Sequence, residues 1–333
     1  MTRCTIPLRY KLAVACCLRK LRFMKTVLKI SLALIAVVAI LILGVTIEGN
    51  RQIARQEVTP AGQNAPGQFF TIEGRSLHVI TLGDPKSDPT GAPIVLVHGF
   101  SAAGAATWMP WAESLHAAGR SVIIPDMLGF GHSERAAQPG EHYSITARGR
   151  QVLGLIDALG VANFDIVGES FGGAVTAQVT LAAPERVRKA IFMDAQIYPQ
   201  PIPLQGIAKV PYLGRAISWN TMGGGPFGFA NQRCKASGNC SWLELVKIAG
   251  TVDTFQAITA SDRGDKEFYK RVPEIKTPSL VIWGGNDTIV PVANGDRLAR
   301  ELGSQFILIN AAGHVPYLEQ PDKVAERVLN FFK

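Results

Sequence analysis

The sequence predicts an α/β protein built on a mostly parallel sheet with helices on both faces. Six short runs are apolar throughout or, in one case, apolar except for a single aspartate, as strands buried on both faces are, and stretches of helical periodicity separate most of them. Strands that alternate with helices are typical of a parallel sheet covered on both sides. An alternating hairpin precedes the six runs, so we expect eight strands. An apolar N-terminal segment and a gap of about 80 residues between two strands are additions to this frame.

The elements follow one another in a regular order along the chain. The predicted hairpin strands and buried strands are 69–72, 76–81, 94–97, 122–124, 164–167, 190–193, 280–283 and 306–309. Helical periodicity falls at 108–118, 145–159, 171–183, 293–302 and 323–332. The long gap has helical pieces of its own at 204–217, 242–249 and 252–260. We therefore assign 68–195 and 276–333 to the core and 196–275 to a helical lid inserted between two strands.

The charge of the chain is distributed unevenly. The net charge is +8, yet residues 1–29 hold eight basic residues and no acidic one. The rest of the chain is neutral, with 26 basic and 26 acidic residues. A neutral body, with all the excess charge in front of one apolar segment, argues against a nucleic-acid partner.

The apolar segment covers residues 30–47, eighteen residues without a charge. As a helix it is about 27 Å long, close to the roughly 30 Å hydrocarbon core of a bilayer. We interpret it as one transmembrane anchor, with the basic segment 1–29 in the cytoplasm and the body across the membrane, in the periplasm if the source is a Gram-negative bacterium. A cleaved signal peptide is the alternative, although the segment is longer than a signal peptide's apolar region. Met24 opens a second positively charged segment and is an alternative translation start.

Two further features depend on where the body lies. Residues 48–67 are polar and contain two prolines, so we expect a linker between anchor and core. Cys4, Cys16 and Cys17 precede the anchor, whereas Cys234 and Cys240 lie six apart in the lid. An extracytoplasmic lid favours a disulfide between that last pair, with two reduced thiols as the open alternative.

One stretch, Gly168-Glu169-Ser170-Phe171-Gly172-Gly173, follows a predicted buried strand and precedes a predicted helix. This arrangement holds a serine on a strained strand-to-helix turn, with its hydroxyl exposed at the end of a sheet. Glycine is expected at both flanking positions, because a side chain there would collide where the turn closes on itself. Ser170 is thus the predicted nucleophile, and it needs a base within hydrogen-bond reach.

The base and its orienting acid must follow the serine. In folds with this turn the order along the chain is Ser, then Asp or Glu, then His. His314 is the only histidine after Ser170, and it lies in a loop just after the last apolar strand. Asp287 is the favoured acid because it closes a tight turn at the end of a buried strand. Asp194, at the end of the preceding strand, is the alternative.

Backbone donors are expected to stabilise a developing oxyanion. One is the N–H of Phe171, directly after the nucleophile. The other comes from the loop after strand 94–97 and is the N–H of Phe100, or that of Ser101 if the loop is shifted by one residue. We expect His98 to pack and hold that loop rather than react.

Residues from about 68 to 333 resemble the α/β-hydrolase superfamily. The matching pieces are His98-Gly99-Phe100, Asp126 with Gly129-Phe130-Gly131-His132-Ser133, the serine stretch, Asp287 and Gly313-His314. Within the superfamily the chain is similar to lidded esterases, monoacylglycerol lipases and the C–C hydrolases of aromatic degradation. Epoxide hydrolases and haloalkane dehalogenases share the frame but carry Asp in place of the serine.

We therefore expect a membrane-anchored serine hydrolase that cleaves an apolar small-molecule ester through an acyl-enzyme. Apolar lid residues suggest that substrate but would serve equally as the lid's own core: Ile207, Tyr212, Trp219, Phe227, Phe229, Trp242 and Phe255. The alternatives are a C–C bond hydrolase of the meta-cleavage type, with the same triad, and a non-catalytic binding protein of the same fold. No metal-binding motif or P-loop occurs in the sequence, so no cofactor is expected.

Overall fold

The computed structural model describes residues 8–136, 140–199, 205–208, 210–221, 224–225, 228, 230–231, 234–235, 240–260 and 268–333. Its strands are β1 (Gln68–Ile72), β2 (Arg75–Leu82), β3 (Ile94–Val97), β4 (Val122–Pro125), β5 (Phe164–Glu169), β6 (Val187–Met193), β7 (Ser279–Gly284) and β8 (Gln305–Ile309). They form one sheet in the order β1-β2-β4-β3-β5-β6-β7-β8. β2 pairs antiparallel with β1 and β4, and the other pairs are parallel. The predicted eight-stranded, mostly parallel sheet is confirmed.

Helices alternate with these strands in the predicted order. In the described residues they are α1 (Leu8–Gln56), α2 (Met109–Ala117), α3 (Ile145–Ala158), α4 (Phe171–Ala182), α5 (Gln205–Ala208), α6 (Leu213–Thr221), α7 (Ser241–Val246), α8 (Thr251–Ala260), α9 (Val292–Leu302), α10 (Pro316–Glu319) and α11 (Pro321–Phe332). Short 3-10 helices cover Pro85–Ser87, Gly104–Thr107, Glu141–Tyr143 and Phe268–Glu274.

Helices cover both faces of the sheet, and alternate residues of one strand pack against opposite faces. In β3, Val95 and Val97 pack with residues of α3, α4 and α9, whereas Ile94 and Leu96 pack with residues of α2 and α11. Because strand side chains alternate between faces, a doubly covered strand is apolar at most positions, and the buried Asp165 of β5 is neutralised by ion pairs with arginines. This is the physical reason why the largely apolar runs predicted the strands.

The connection between β6 and β7 is helical where the structure describes it. Helices α5 to α8 lie in this lid segment, and α8 joins the main core through Phe255 and Ile258. Cys234 and Cys240 form a disulfide in the same segment. Among the apolar lid residues, Trp219, Trp242 and Phe255 are buried and Ile207 and Tyr212 are exposed. Phe227 and Phe229 lie outside the described residues.

Helix α1 extends beyond the predicted anchor. It includes residues 30–47, whose side chains are exposed, and continues to Gln56. The predicted linker 48–67 therefore differs from the expectation, because its first nine residues are the end of this helix. No proline occurs between Pro7 and Pro60, and Ile53 is buried against Trp219 and Val252 of the lid. Burial of Ile53 explains why this stretch is ordered helix rather than free chain.

Candidate active site

Ser170 lies on the sharp turn between β5 and α4. Its backbone has φ 52° and ψ −121°, a sparsely populated conformation that costs about 1–3 kcal/mol in a residue other than glycine. The flanking glycines make this turn possible. A Cβ on Gly168 would collide with the backbone of Gly172, and a Cβ on Gly172 would collide with the carbonyl oxygens of Val97 and His98. The expected collision within the turn is confirmed for Gly168, whereas Gly172 is required by the close approach of the end of β3.

The structure brings together three side chains that the sequence singled out. His314, in the loop between β8 and α10, places its Nε2 2.9 Å from Oγ of Ser170. Its other ring nitrogen, Nδ1, lies 2.9 Å from Oδ2 of Asp287. His314 is 144 positions from the serine and 27 from the aspartate. The parallel sheet brings Ser170, His314 and Asp287 into hydrogen-bond contact, because the strands that precede their three loops end at the same edge of the sheet.

Asp287 is held in place by the turn that follows β7. Its Oδ1 accepts hydrogen bonds from the backbone N–H groups of Ile289 and Val290 at 2.7 and 3.0 Å, which leaves Oδ2 for His314. Burial raises the pKa of Asp287, but the hydrogen bond with His314, the charge of that histidine and the two backbone donors outweigh burial and hold the pKa below its usual value. Asp287 is therefore a carboxylate at neutral pH.

The surroundings of His314 make its imidazole more basic. Burial alone would lower its pKa, but the hydrogen bond to Asp287 and the negative charges of Glu169 and Asp287 outweigh burial and raise it. The carboxylate of Asp287 accepts the Nδ1 proton, so Nε2 is the nitrogen that faces Ser170 as an acceptor. This arrangement can remove the hydroxyl proton of Ser170.

Asp194, the alternative acid, lies next to Asp287. Its Oδ1 accepts the backbone N–H of Gly284 at 2.9 Å. One oxygen of each aspartate and one ring nitrogen of His314 lie within 4.8 Å of one another. Burial and the neighbouring carboxylates of Asp287 and Glu169 raise the pKa of Asp194 to about 10, against the effect of the Gly284 donor. A neutral acid cannot stabilise an imidazolium as a carboxylate does, so the geometry and the charge favour Asp287.

These three groups are also of the types that bind metal ions. A cation requires deprotonated ligands with available lone pairs. Here Asp194 is protonated at neutral pH, and Nδ1 of His314 is engaged with Asp287. The arrangement therefore fits an oriented base better than a metal centre.

Glu169 is a site residue that sequence reasoning missed. Its Oε1 lies 3.5 Å from Nε2 of His314, and its side chain is 6% exposed. Burial raises the pKa of Glu169 to about 7, although the charge of His314 and the N–H of Gly99 oppose this effect. An acidic residue at the end of a strand buried on both faces is an anomaly, and that anomaly was the available signal.

The two predicted oxyanion donors belong to the start of α4 and to the loop after β3. Phe171 is the first residue of α4, so its N–H is at the positive end of that helix. The loop after β3 passes close to the serine: a Cβ built on Gly99 would be 3.1 Å from Cβ of Ser170. Ser101 donates its N–H to the carbonyl oxygen of Gly99 at 2.9 Å. The assignment of the second donor to the N–H of Phe100 stays a prediction.

Aromatic rings and one buried histidine hold this loop in place. The ring of Phe100 contacts those of Phe130, Phe171 and Phe255, with centroids 5.2, 6.1 and 5.4 Å away. His98 donates from Nδ1 to the carbonyl oxygen of Gly99 at 2.7 Å, and its Nε2 accepts the N–H of Met127 at 3.0 Å. Burial lowers the pKa of His98 to about 4, so the ring is neutral. The expectation that His98 holds the loop is confirmed.

The neighbouring Asp126 loop is organised by one buried carboxylate. Asp126 accepts hydrogen bonds from the backbone N–H groups of Ala105 and His132 at 2.5 and 2.8 Å, and it contacts Nδ1 of His78 at 2.7 Å. His132 thus contributes its backbone to this loop. The Asp126–His78 pair was not predicted, because a contact between β2 and the loop after β4 depends on the sheet order.

One class of hydrolytic sites on α/β sheets has a serine on a strand-to-helix turn. The serine is hydrogen-bonded to a histidine, and a buried carboxylate orients that histidine. The model of the family described as "Alpha/beta hydrolase family" matches residues 94–327 of this chain. The chain belongs to the alpha/beta hydrolase family.

Relatives and solved structures place it among hydrolases. The 2-hydroxy-6-oxononadienedioate/2-hydroxy-6-oxononatrienedioate hydrolase of Escherichia coli strain K12 is 27% identical over 286 residues, which cover 82% of this chain and 97% of that protein. The structure of Est816, an N-acyl homoserine lactone degrading enzyme, is 26% identical, with a TM-score of 0.61 over 79% of this chain and 100% of its own. A 2-hydroxy-6-oxo-6-phenylhexa-2,4-dienoate hydrolase from Rhodococcus sp. strain RHA1 is 25% identical, with a TM-score of 0.62 over 80% and 98% of the two chains. The predicted family and the prediction of a hydrolytic enzyme are confirmed.

Proposed function

We propose that this chain is a serine hydrolase that cleaves carboxylic esters. The observation that carries the proposal is the 2.9 Å contact between Nε2 of His314 and Oγ of Ser170. At that separation a base can take a hydroxyl proton while the oxygen attacks a carbonyl carbon. Asp287 holds the imidazole in the required orientation through its own 2.9 Å contact with Nδ1.

The reaction proceeds in two halves. In the first, Oγ of Ser170 bonds to the ester carbonyl carbon and its proton passes to Nε2 of His314. The imidazolium then gives this proton to the leaving alcohol oxygen, the C–O bond breaks, and an acyl-enzyme remains. In the second half, water gives a proton to Nε2, attacks the acyl carbon and releases the carboxylic acid. The proton returns to Ser170, and Asp287 stays ionised throughout.

Negative charge develops on the carbonyl oxygen in both halves. The N–H groups of Phe171 and Phe100 are the donors we assign to it. Preorganised donors at this position contribute about 3–4 kcal/mol each to transition-state stabilisation in related chemistry. The contacts of the Phe100 ring support this assignment, because they hold the loop beside the serine.

Hydrolysis of a C–C bond next to a ketone is the second candidate. It would use the same serine, histidine and aspartate, and relatives named for dienoate and dienedioate hydrolysis favour it. The ester proposal is favoured by the apolar helix α1, which suits a lipid-soluble substrate.

A substrate panel separates the two candidates. The full-length protein in detergent micelles is given p-nitrophenyl esters of 2 to 16 carbons and, separately, a 2-hydroxy-6-oxo dienoate. We expect ester turnover that disappears in Ser170→Ala and persists in Ser87→Ala, an exposed serine on a surface 3-10 helix. Dienoate turnover without ester turnover would contradict the ester proposal.

We further propose that α1 is a retained anchor with the catalytic body outside the cytoplasm. The described residues include one helix long and apolar enough to cross a bilayer, with its apolar window unburied. Basic residues on the N-terminal side favour a cytoplasmic N-terminus. Intact mass of the membrane-extracted protein distinguishes an anchor from a signal peptide, since cleavage would remove the apolar segment. Protease added to sealed spheroplasts should digest the body if it is extracytoplasmic.

A further inference from the structure

The end of α1 is packed against the lid rather than separated from it. Gly49 lies against Ala216 of α6 so closely that a Cβ on the glycine would be 2.6 Å from that of the alanine. Ile53 is buried with Trp219 of α6 and Val252 of α8. Nε1 of Trp219 also donates to Oε1 of Gln52 at 3.0 Å.

Residues just beyond α1 continue this contact. Glu57 accepts the backbone N–H groups of Gly250 and Val252 at 3.2 and 2.8 Å, at the start of α8. The N–H of Thr59 donates to the carbonyl oxygen of Lys247 at 3.1 Å, and the carbonyl oxygen of Thr59 accepts the N–H of Ala249 at 2.8 Å. Helices α6 and α8 and residues 247–250, which precede α8, are thus fixed to the end of α1 and the residues just beyond it.

The contacts also fix the direction in which α6 runs. The side chain of Asn50 donates to the carbonyl oxygen of Tyr212 and to that of Thr46, both at 2.8 Å. Tyr212 precedes α6 and lies beside residues 46–50, whereas Trp219, near the end of α6, lies beside Gln52 and Ile53. Helix α6 therefore runs in the same direction as α1, and its first residues are nearest to the apolar segment.

The position of Tyr212 relative to a bilayer follows from helix geometry. Asn50 is three residues beyond the end of the apolar run at Ile47, which is about 4.5 Å along the helix axis. If 30–47 fills the hydrocarbon core, Tyr212 is at the membrane–water interface, where tyrosine is enriched. Ile207 in α5, and Val210 and Tyr212 in the turn between α5 and α6, are exposed by 39%, 44% and 68%. We call these three residues the lid turn.

We propose that the lid turn rests in the interface of the bilayer that α1 crosses, so that the enzyme takes esters dissolved in that bilayer. This inference rests on the proposed anchor and ester hydrolysis. Continuity with α1 favours a lipid surface over a second copy of the chain as the partner. The lid turn is also linked to the site, because α8 carries Phe255, which contacts Phe100 beside the nucleophile.

A kinetic comparison tests the substrate class. The full-length enzyme in phosphatidylcholine vesicles is given p-nitrophenyl palmitate in the vesicles and p-nitrophenyl acetate in solution. We expect the combined change Ile207→Ser, Val210→Ser and Tyr212→Ser to lower palmitate turnover about tenfold or more and to leave acetate turnover unchanged. The control Leu308→Ser changes an exposed side chain on the edge strand β8 and should affect neither. Unchanged palmitate turnover, or an equal fall on both esters, would overturn the inference.

Photocrosslinking tests the contact itself, independently of activity. Benzoylphenylalanine replaces Tyr212, Leu34 within the apolar segment, or Leu308 in full-length protein in the same vesicles. We expect phospholipid adducts at positions 34 and 212 and none at 308. Adducts at 34 without any at 212, or links from 212 to a second copy, would overturn the lid-turn contact while leaving the anchor intact. Absence of adducts at all three positions would overturn the anchor and the lid-turn contact together.

Discussion

The sheet with its strand-end loops and the lid with its attached helix hold their residues in different ways. The loops of Ser170, Asp287 and His314 are fixed by hydrogen bonds of 2.7–3.0 Å at the end of a doubly buried sheet. The lid packs on the main core through α8 and is also attached to the N-terminal helix, by a small apolar cluster around Ile53 and by backbone bonds to the chain after α1. The chemistry thus depends on the sheet, whereas the placement of the lid depends in part on the N-terminal helix.

This difference predicts that substitutions in the two regions have separable effects. Changes at the strand-end loops should alter the rate of the chemical step without loosening the lid. Changes where α1 meets the lid should alter lid stability and leave the chemistry on small soluble esters largely intact.

The largest effect is expected for Asp287→Asn. The amide can still accept the N–H groups of Ile289 and Val290 through its oxygen, so the turn should persist. Its NH2 group would then face Nδ1 of His314 and favour the tautomer with the proton on Nε2, which cannot accept from Ser170. We expect kcat to fall about 10³–10⁴-fold, as measured with p-nitrophenyl butyrate.

The matched control for that experiment is Asp296→Asn, an exposed aspartate on α9. It should leave kcat within about twofold, as expected for a surface substitution. Comparable kcat for Asp287→Asn and wild type would show that Asp287 does not orient the base.

The corresponding change in the second region is Ile53→Ala. Truncation of this buried side chain should destabilise the junction of α1 and the lid by about 2–4 kcal/mol. Amide exchange in α6 and α8 should then be about 30-fold faster or more, with kcat on p-nitrophenyl acetate nearly unchanged. Val58→Ala, at an exposed position, is the control. Equal lid exchange in Ile53→Ala and wild type would mean that the contact contributes little stability.

Substitutions of Asp194 test whether a residue beside Ser170, Asp287 and His314 helps to position them. Asparagine at this position keeps an acceptor for Gly284 and places an NH2 donor where the neutral carboxyl carries its proton, so Asp194→Asn should retain kcat within a few-fold. Asp194→Ala removes the acceptor for Gly284 as well as the proton donor, so it should displace Asp287 and lower kcat about 10–100-fold. Equal kcat for the two variants would contradict a positioning role.

The same residue has an expected effect on stability. In the folded chain the pKa of Asp194 is raised from 3.8 to about 10, so between these pH values the unfolded state loses a proton that the folded state keeps. Wild-type stability therefore falls as pH rises through this range. Asp194→Asn lacks that titrating proton, so the melting temperature of the variant should rise relative to that of wild type between pH 6 and pH 9. A constant difference would show that Asp194 is ionised in the folded protein.

The smallest effect is expected for Glu169→Gln. The negative charge of Glu169 contributes to the raised pKa of His314. Its removal should lower that pKa and move the acid limb of the kcat/KM–pH profile to lower pH. Glu326→Gln, an exposed change on α11, should leave the profile in place. If the acid limb of the Glu169→Gln profile does not move, the charge of Glu169 does not contribute to the pKa of His314.

Much of the first region could be predicted from the sequence. Buried strands appeared as largely apolar runs, and chain order selected His314 because no other histidine follows Ser170. The sequence favoured Asp287 as the acid but left Asp194 as an alternative, because both lie at the ends of neighbouring strands. The hydrogen bond between Asp287 and Nδ1 of His314, together with the raised pKa of Asp194, favours Asp287 in the folded protein.

The second region was less accessible to sequence reasoning. Residues 48–56 are polar enough to suggest a linker, yet the chain has no proline there to end a helix. The burial of Ile53 and the caps that Glu57 provides to α8 depend on lid residues about 160–200 positions away. Glu169 was missed for a similar reason, since its contact with His314 exists only in the folded sheet.

Labelling with a fluorophosphonate shows whether Ser170 is a nucleophile activated by His314. The full-length protein is treated with the probe, digested and analysed by mass spectrometry. We expect one labelled peptide, modified at Ser170, and no labelling of Ser170→Ala. A folded wild-type protein that remains unlabelled, or equal labelling of wild type and Ser170→Ala, would contradict it.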